Sequence, residues 1–194
     1  VSVAVGVNSP DLMVEIDFTN DPTNVTRVWS DVSQYVRQIS YTRDGRDNQL
    51  SRTTPGTLAA LFDNRDGRFD STNTASPYYP GVRRKRWLRV SAIWAGVTYR
   101  RWTGLIETWR QQWPASGKDA TAEITATSAL SVLNLYDLEG LSYGAQQTGT
   151  RVGAVLTDVG LTGYTVDTGI TALPAVGPFA AGTTALAHLL DVEA

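Results

Sequence analysis

In LMVEIDF, Leu12 to Phe18, apolar side chains take every second position: Leu12, Val14, Ile16 and Phe18 alternate with Met13, Glu15 and Asp17. A period of two puts one set on each face of an extended chain and predicts a half-buried strand. Similar patterns run through Val36–Arg43 and through Gly56–Asn64, where Leu58, Ala60 and Phe62 share a side. Trp87–Trp94 and Val97–Trp102 follow, joined by Ala95-Gly96, which reads as a hairpin turn. Leu105–Trp113 and Thr121–Thr127 form another pair about the turn signal Pro-Ala-Ser-Gly-Lys-Asp. Six or seven strands with short turns predict a β-barrel or sandwich over residues 1–127.

From Ser128 the period changes. Ser128 is placed to cap a helix carrying Leu130, Leu133 and Leu135. Thr150 is placed to cap a second, with Val152, Val155, Leu156 and Val159 on one stripe and Gly160 at its end. Tyr164–Asp167 reads as a short strand, and Thr183 or Thr184 as the start of a helix bearing Leu186, Leu189 and Leu190. The apolar face of that last helix needs a partner. Residues 128–194 are therefore expected to begin an α+β domain that is incomplete here, and the opening Val in place of Met is expected to mark a processed or trimmed chain. The fold class expected is mainly β: a β-barrel, then the start of an α+β domain.

The composition closes off several kinds of chemistry. A hydrophobic content of 42% supports a real core. Without cysteine there is neither a disulfide framework nor a thiolate-ligated metal. His188 is the only histidine, so no site can be built from several. No apolar run reaches the roughly 20 residues that span a bilayer, and VSVAVGV lacks the basic start of a signal peptide. Charge is uneven. Residues 1–119 hold 16 Lys and Arg against 12 Asp and Glu, while residues 120–194 hold Arg151 against seven acids. That shift fits a domain boundary, and opposite charges also help neighbouring subunits to dock.

Four groups of residues invite a functional reading. Asn64, Asp66 and Gly67 partly match a calcium loop, but Phe62 stands at its first ligand position and Asn73 where a bidentate Glu is needed. A tight turn at Asp66-Gly67, with Asp63 and Asp70 accepting nearby amides, fits better. Arg83-Arg84-Lys85-Arg86, with Tyr78, Tyr79, Trp87 and Arg89 beside it, has the ingredients of a phosphate patch. Charges at the start of a strand more often form a solvated edge that blocks aggregation. Gly140-Leu141-Ser142-Tyr143-Gly144 matches G-x-S-x-G, and Asp167 and His188 follow in hydrolase order. The charged stretch before this motif and the polar loop after it do not supply the strand–turn–helix context. Finally, six tryptophans suggest a sugar platform, of which only Trp109 and Trp113 clearly share a side. On these residues no catalytic, cofactor-binding or metal site is expected, and no cofactor.

Taken together, residues 29–109 resemble the N-terminal region of minor tail proteins of long-tailed bacteriophages, the tail hub or baseplate hub family. The resemblance lies in W-x-D-V-S-x-Y-V (Trp29–Val36), G-R-x-x-x-L (Gly45–Leu50) and G-T-L-x-x-x-F-D-N-x-D-G-R-F-D (Gly56–Asp70). It continues in S-P-Y-Y-P (Ser76–Pro80), R-W-L-R-V (Arg86–Val90) and W-T-G-L-I-E-x-W (Trp102–Trp109). More weakly, T-R-V-G-A-V-L and T-A-L-A-H-L-L-D-V-E-A resemble the start of such proteins' next domain. The resemblance implies a tail-tube-like barrel and a structural, non-enzymatic role in a virion. It further implies a homotrimeric ring at the tail tip that contacts the distal tail protein, the tail tube and the tape-measure protein. The distal tail protein is the related alternative. Under this resemblance Phe62–Pro80 would be a strand, a tight turn and a stiff aromatic-proline segment, with Tyr78 and Tyr79 packed on a neighbouring wall.

Overall fold

The computed structural model describes residues 9–21, 26–45, 53–115, 118–161 and 165–193. The chain divides into two compact units, one of Val1–Asp44 and Pro55–Ala129, the other of Gly45–Thr54 and Leu130–Ala194.

Seven strands make the first unit: β1 (Asp11–Ile16), β2 (Ser30–Asp31), β3 (Val36–Tyr41), β4 (Thr57–Asp63), β5 (Trp87–Trp94), β6 (Val97–Gln112) and β7 (Thr121–Ser128). They form one antiparallel sheet in the order β2-β1-β5-β6-β7-β4-β3. A flat sheet of this size would hold its edges roughly 29 Å apart. Yet the edge strands β2 and β3 are consecutive, and the five residue steps from Asp31 to Val36 reach at most about 18 Å. The sheet must therefore curl. The result is a half-barrel, with the Ser33–Tyr35 turn crossing between the edges.

Alternation fills the concave side. Val14, Ile16, Leu58, Ala60, Phe62, Leu88, Val90, Ile106, Ala122, Ile124 and Ala126 form one buried cluster with Phe18, Val32, Phe69, Val82 and Trp102. On the opposite face of β1, Glu15 lies across from Arg89 of β5 and takes two hydrogen bonds from it, at 2.5 and 2.9 Å. The Arg89 guanidinium also covers the ring of Trp29, 4.2 Å from its centroid.

Two expected strands, Val97–Trp102 and Leu105–Trp113, are a single strand of 16 residues. Thr103-Gly104 reads as a break, but Gly104 stays in register opposite both Leu88 and Ser128. Register shifts occur instead at Arg101 and Glu107, each an extra residue against its partner strand. The Ala95-Gly96 turn is as expected: φ of 48° and 76° match the left-handed pair of a two-residue hairpin.

The second unit holds α2 (Thr148–Asp158), α3 (Ala185–Glu193) and a two-stranded sheet of β8 (Gln146–Gln147) and β9 (Ala172–Leu173). A short helix, α1 (Ala129–Val132), directly follows β7. α2 starts two residues before the expected Thr150 and has no side-chain cap, whereas Gly160 turns the chain at its end with φ of 73°. Thr184 does cap α3, its Oγ1 accepting the Ala187 N–H at 3.2 Å. The apolar face of α3 finds its partner inside this unit. Ala185, Leu186 and Leu189 pack with Leu133, Leu138, Tyr143, Val155 and Val159. Of the expected strand Tyr164–Asp167, Tyr164 lies outside the described residues and the rest is not a strand. Most of G-R-x-x-x-L and the centre of the Pro114–Asp119 turn also lie outside them.

Candidate functional site

β4 and β5 are joined not by a tight turn but by a 23-residue crossover, Asn64–Arg86, which carries the second half of the Gly56–Asp70 motif and all of Ser76–Pro80. Its first half is a ribbon of turns with a period of three. The N–H groups of Gly67, Asp70, Asn73, Ser76 and Tyr79 donate to the carbonyls of Asn64, Gly67, Asp70, Asn73 and Ser76, at 2.9–3.2 Å. Short polar side chains lock each step by accepting the amide two residues on. Asp63 holds Arg65, Asp66 holds Arg68, Asp70 holds Thr72, Asn73 holds Ala75 and Ser76 holds Tyr78. Gly67 has φ of 69°, a conformation that suits glycine.

This bonding settles what the acids do. Asp63 faces Arg65 and Arg37, Asp66 pairs with Arg68, and the buried Asn64 accepts the Phe69 N–H at 2.8 Å. The oxygens a calcium loop would use point at amides and guanidinium groups, and among the described residues no cluster suits a metal ion.

The ribbon drives Phe69 into the half-barrel. Phe69 is fully buried, with its ring 5.1–6.0 Å from those of Phe62, Tyr78, Tyr35 and Trp109. Tyr78 stacks on Phe18 at 4.2 Å, so it packs within its own half-barrel rather than on a neighbouring wall, while Tyr79 is exposed. The Arg68 guanidinium lies 3.8 Å from the Tyr35 ring centroid and covers the cluster from outside.

The basic run is only in part a solvated edge. Arg86 is buried; its Nε donates to the Gly81 carbonyl at 3.1 Å and its Nη1 to the Asn20 carbonyl. Lys85, at φ of 62°, reaches Glu107 at 2.8 and 2.9 Å. Arg83 gives its carbonyl to the Trp109 indole N–H at 2.8 Å. These contacts anchor the crossover to β6 and leave Arg83 and Arg84 as outward cations.

The tryptophans do not make a platform. Trp87 and Trp102 are buried, and Trp109 belongs to the aromatic cluster. The most exposed two, Trp94 and Trp113, lie at opposite ends of β6, whose 16 residues span roughly 50 Å. Trp109 packs into the aromatic cluster while Trp113 is exposed, so the two do not offer one open face.

The G-x-S-x-G residues are likewise apart in character. Ser142 and Asp167 are exposed, whereas His188 is buried between Tyr143 (parallel, centroids 5.7 Å apart) and Phe179 (edge-on, 4.7 Å). The motif instead places Tyr143. Its hydroxyl donates to Asp158 at 2.9 Å, and burial together with that bond raises its pKa. Arg151, also buried, donates from Nη2 to the carbonyls of Gly144 and Pro174, at 2.9 Å each. Sequence reasoning gave Phe69 and Arg151 no individual role and read Arg86 as part of a solvated basic edge. For Arg151 the only signal was an otherwise apolar neighbourhood, whereas Arg86 sits in a basic run that gave no such signal.

Two pH effects follow. The Arg65 side chain, then its amide and Arg37, hold the Asp63 pKa down at about 2. Asp63 thus contributes stability above its ordinary 3.8, and that contribution is lost as pH falls through about 2. Asp63→Asn is expected to flatten the acid limb of stability measured by urea unfolding between those values. Burial, and then the Arg151 charge, push the His188 pKa below 6.5, against a smaller opposing pull from Asp191. The unfolded chain then binds the proton more readily, so stability declines as pH drops below 6.5 towards the folded value. His188 Nε2 has no hydrogen-bond partner, so His188→Phe should remove this decline while leaving stability at pH 8 within about 1 kcal/mol.

No family model matches the chain, and no curated protein matches it. Similar solved structures include two tail proteins. The 43 kDa tail protein of prophage MuSo2 from Shewanella oneidensis is 10% identical with a TM-score of 0.44, over 95% of this chain and 48% of that one. The tail protein from Neisseria meningitidis MC58 is 9% identical with a TM-score of 0.49, over 92% of this chain and 44% of that one. The chain spans less than half the length of either.

Proposed function

We propose that this chain is a structural component of a phage tail, forming part of the hub ring that closes the tube at the tail tip. One observation carries the reading. Apart from G-R-x-x-x-L, the phage-like motifs of residues 29–109 lie in one architectural module and supply its framework. Phe62, Asn64, Phe69, Trp87 and Trp102 are buried in the half-barrel, and Tyr78 and Trp109 pack against its core. Motifs retained for chemistry would instead converge on an open cleft with free polar groups. Function in this reading comes from assembly and not from turnover: the ring holds the tape-measure protein and DNA until adsorption, contacts the tail tube and distal tail protein, and then opens. The ring is a homotrimer with two barrels per subunit, one of them supplied by residues 1–127.

Cryo-electron microscopy of the full-length protein, and of tails that contain it, tests this. A threefold ring of paired barrels at the tail tip is the expected result. A sixfold ring of single barrels would transfer the chain to the distal tail protein. Tails in which antibody to this chain labels no part of the tip would overturn the reading.

A further inference from the structure

The β5–β6 hairpin ends in an apolar face that nothing in its own unit covers. Register puts Leu12, Ala92, Trp94, Val97 and Tyr99 on one side, because Leu12 lies opposite Ala92, Ala92 opposite Tyr99, and Trp94 opposite Val97. Leu12, Trp94, Val97 and Tyr99 are each 42–50% exposed. Single exposed apolar residues are ordinary, but four in one patch, two of them aromatic, mark an interaction surface. The next two residues, Arg100 and Arg101, are exposed and line a cleft of about 440 Å³ with Arg43. The only acid there, Asp44, already accepts the Gly56 N–H at 2.6 Å. Arg100, opposite Ser91, belongs to the other face of the hairpin, whereas Arg101 is the extra residue at the register shift, so a cation borders the apolar patch.

Its complement lies in the second unit. From Leu135 to Leu141 the chain alternates: Leu135, Asp137, Glu139 and Leu141 are exposed, while Tyr136 and Leu138 pack inward. Two leucines thus flank two carboxylates on one outward strip. Residues 130–194 carry six acids and a single base, and that base, Arg151, is buried. Among the described residues of this unit no other cation stands near the strip; Asp137 accepts the Glu139 and Gly182 N–H groups, at 3.0 and 2.8 Å, which leaves Glu139 as the outward acid.

We infer that the β5–β6 hairpin of one copy docks on the Leu135–Leu141 strip of a second copy, apolar on apolar and Arg101 against Glu139. Charge complementarity selects this occupant. Each copy carries both halves, so the contact is head-to-tail, the kind that generates a ring when its rotation closes. The inference rests on the ring-forming reading above and names its interface.

Because the chain lacks cysteine, directed cross-linking tests it cleanly. Val97→Cys and Leu141→Cys proteins, mixed in equal amounts and oxidised, are expected to form the mixed disulfide dimer in clear excess over either self-paired dimer. Analytical ultracentrifugation supplies the second readout. Arg101→Glu alone and Glu139→Arg alone should each weaken self-association about tenfold. The two changes combined in one chain should restore it, which a folding defect would not do. Self-association without the mixed disulfide and without charge-swap rescue would overturn this interface while leaving the hub reading intact. A chain that stays monomeric at every concentration overturns the interface as well, and the hub reading is then decided by imaging of tails.

Discussion

Phe69→Ala is expected to cost the first unit about 3–5 kcal/mol, measured by urea unfolding followed through tryptophan fluorescence. The size comes from position. Phe69 belongs to no strand, yet it is fully buried and shares ring contacts with Phe62, Tyr78, Tyr35 and Trp109. Removing it opens a cavity lined by rings whose backbones belong to different elements, so collapse of the site is resisted. The turn ribbon would also lose its one fully buried ring, leaving polar ties to the sheet such as the bonds from Gln111 Nε2 to the Phe69 carbonyl and to Asp70. Asp70→Ala, which removes from the same ribbon a half-buried acceptor of the Thr72 amide and hydroxyl and of Gln111 Nε2, should cost less, about 1–2 kcal/mol. Equal effects from the two changes would mean that Phe69 does not anchor the crossover.

Gly104→Ala should be the other severe change, by about 1–3 kcal/mol or more. A Cβ there would sit 2.0 Å from the Thr127 carbonyl oxygen and 2.5 Å from the Trp102 ring. Neither neighbour can retreat freely. Thr127 is held in the β6–β7 ladder, and the Trp102 indole N–H donates to the Thr42 carbonyl at 3.1 Å. Hydrogen exchange should locate the damage, with faster exchange at Leu105 and Thr127, while amides of α2 keep their protection. Unchanged exchange at those two amides would show that the strands have room the close approach denies.

The strands of the half-barrel were legible because alternation is local: LMVEIDF and Thr57–Asp63 declare their buried faces within seven residues. Ala95-Gly96 was legible for the same reason, since two residues determine that turn. Gly104 misled because an isolated glycine reads as a break, whereas only the neighbouring strand reveals that it is a point of close approach. Phe62–Pro80 was read as a tight turn and a stiff extended segment. Each Asp, Asn or Ser there is a good local turn former, and their sum into a period-three ribbon depends on Phe69 finding a cavity that distant strands enclose. Arg86 and Arg151 carry the same lesson. Their charges suggested solvent, but carbonyls brought up from Asn20, Gly81, Gly144 and Pro174 made burial tolerable. The sequence by itself determined what its short-range periodicities encode: most of the strands, the hairpin, the helix ends at Gly160 and Thr184, and the absence of thiol chemistry. Only the tertiary structure decided which glycine marks a contact, which arginines lie inside and where the aromatic crossover packs, because those outcomes depend on backbone groups far apart in the chain.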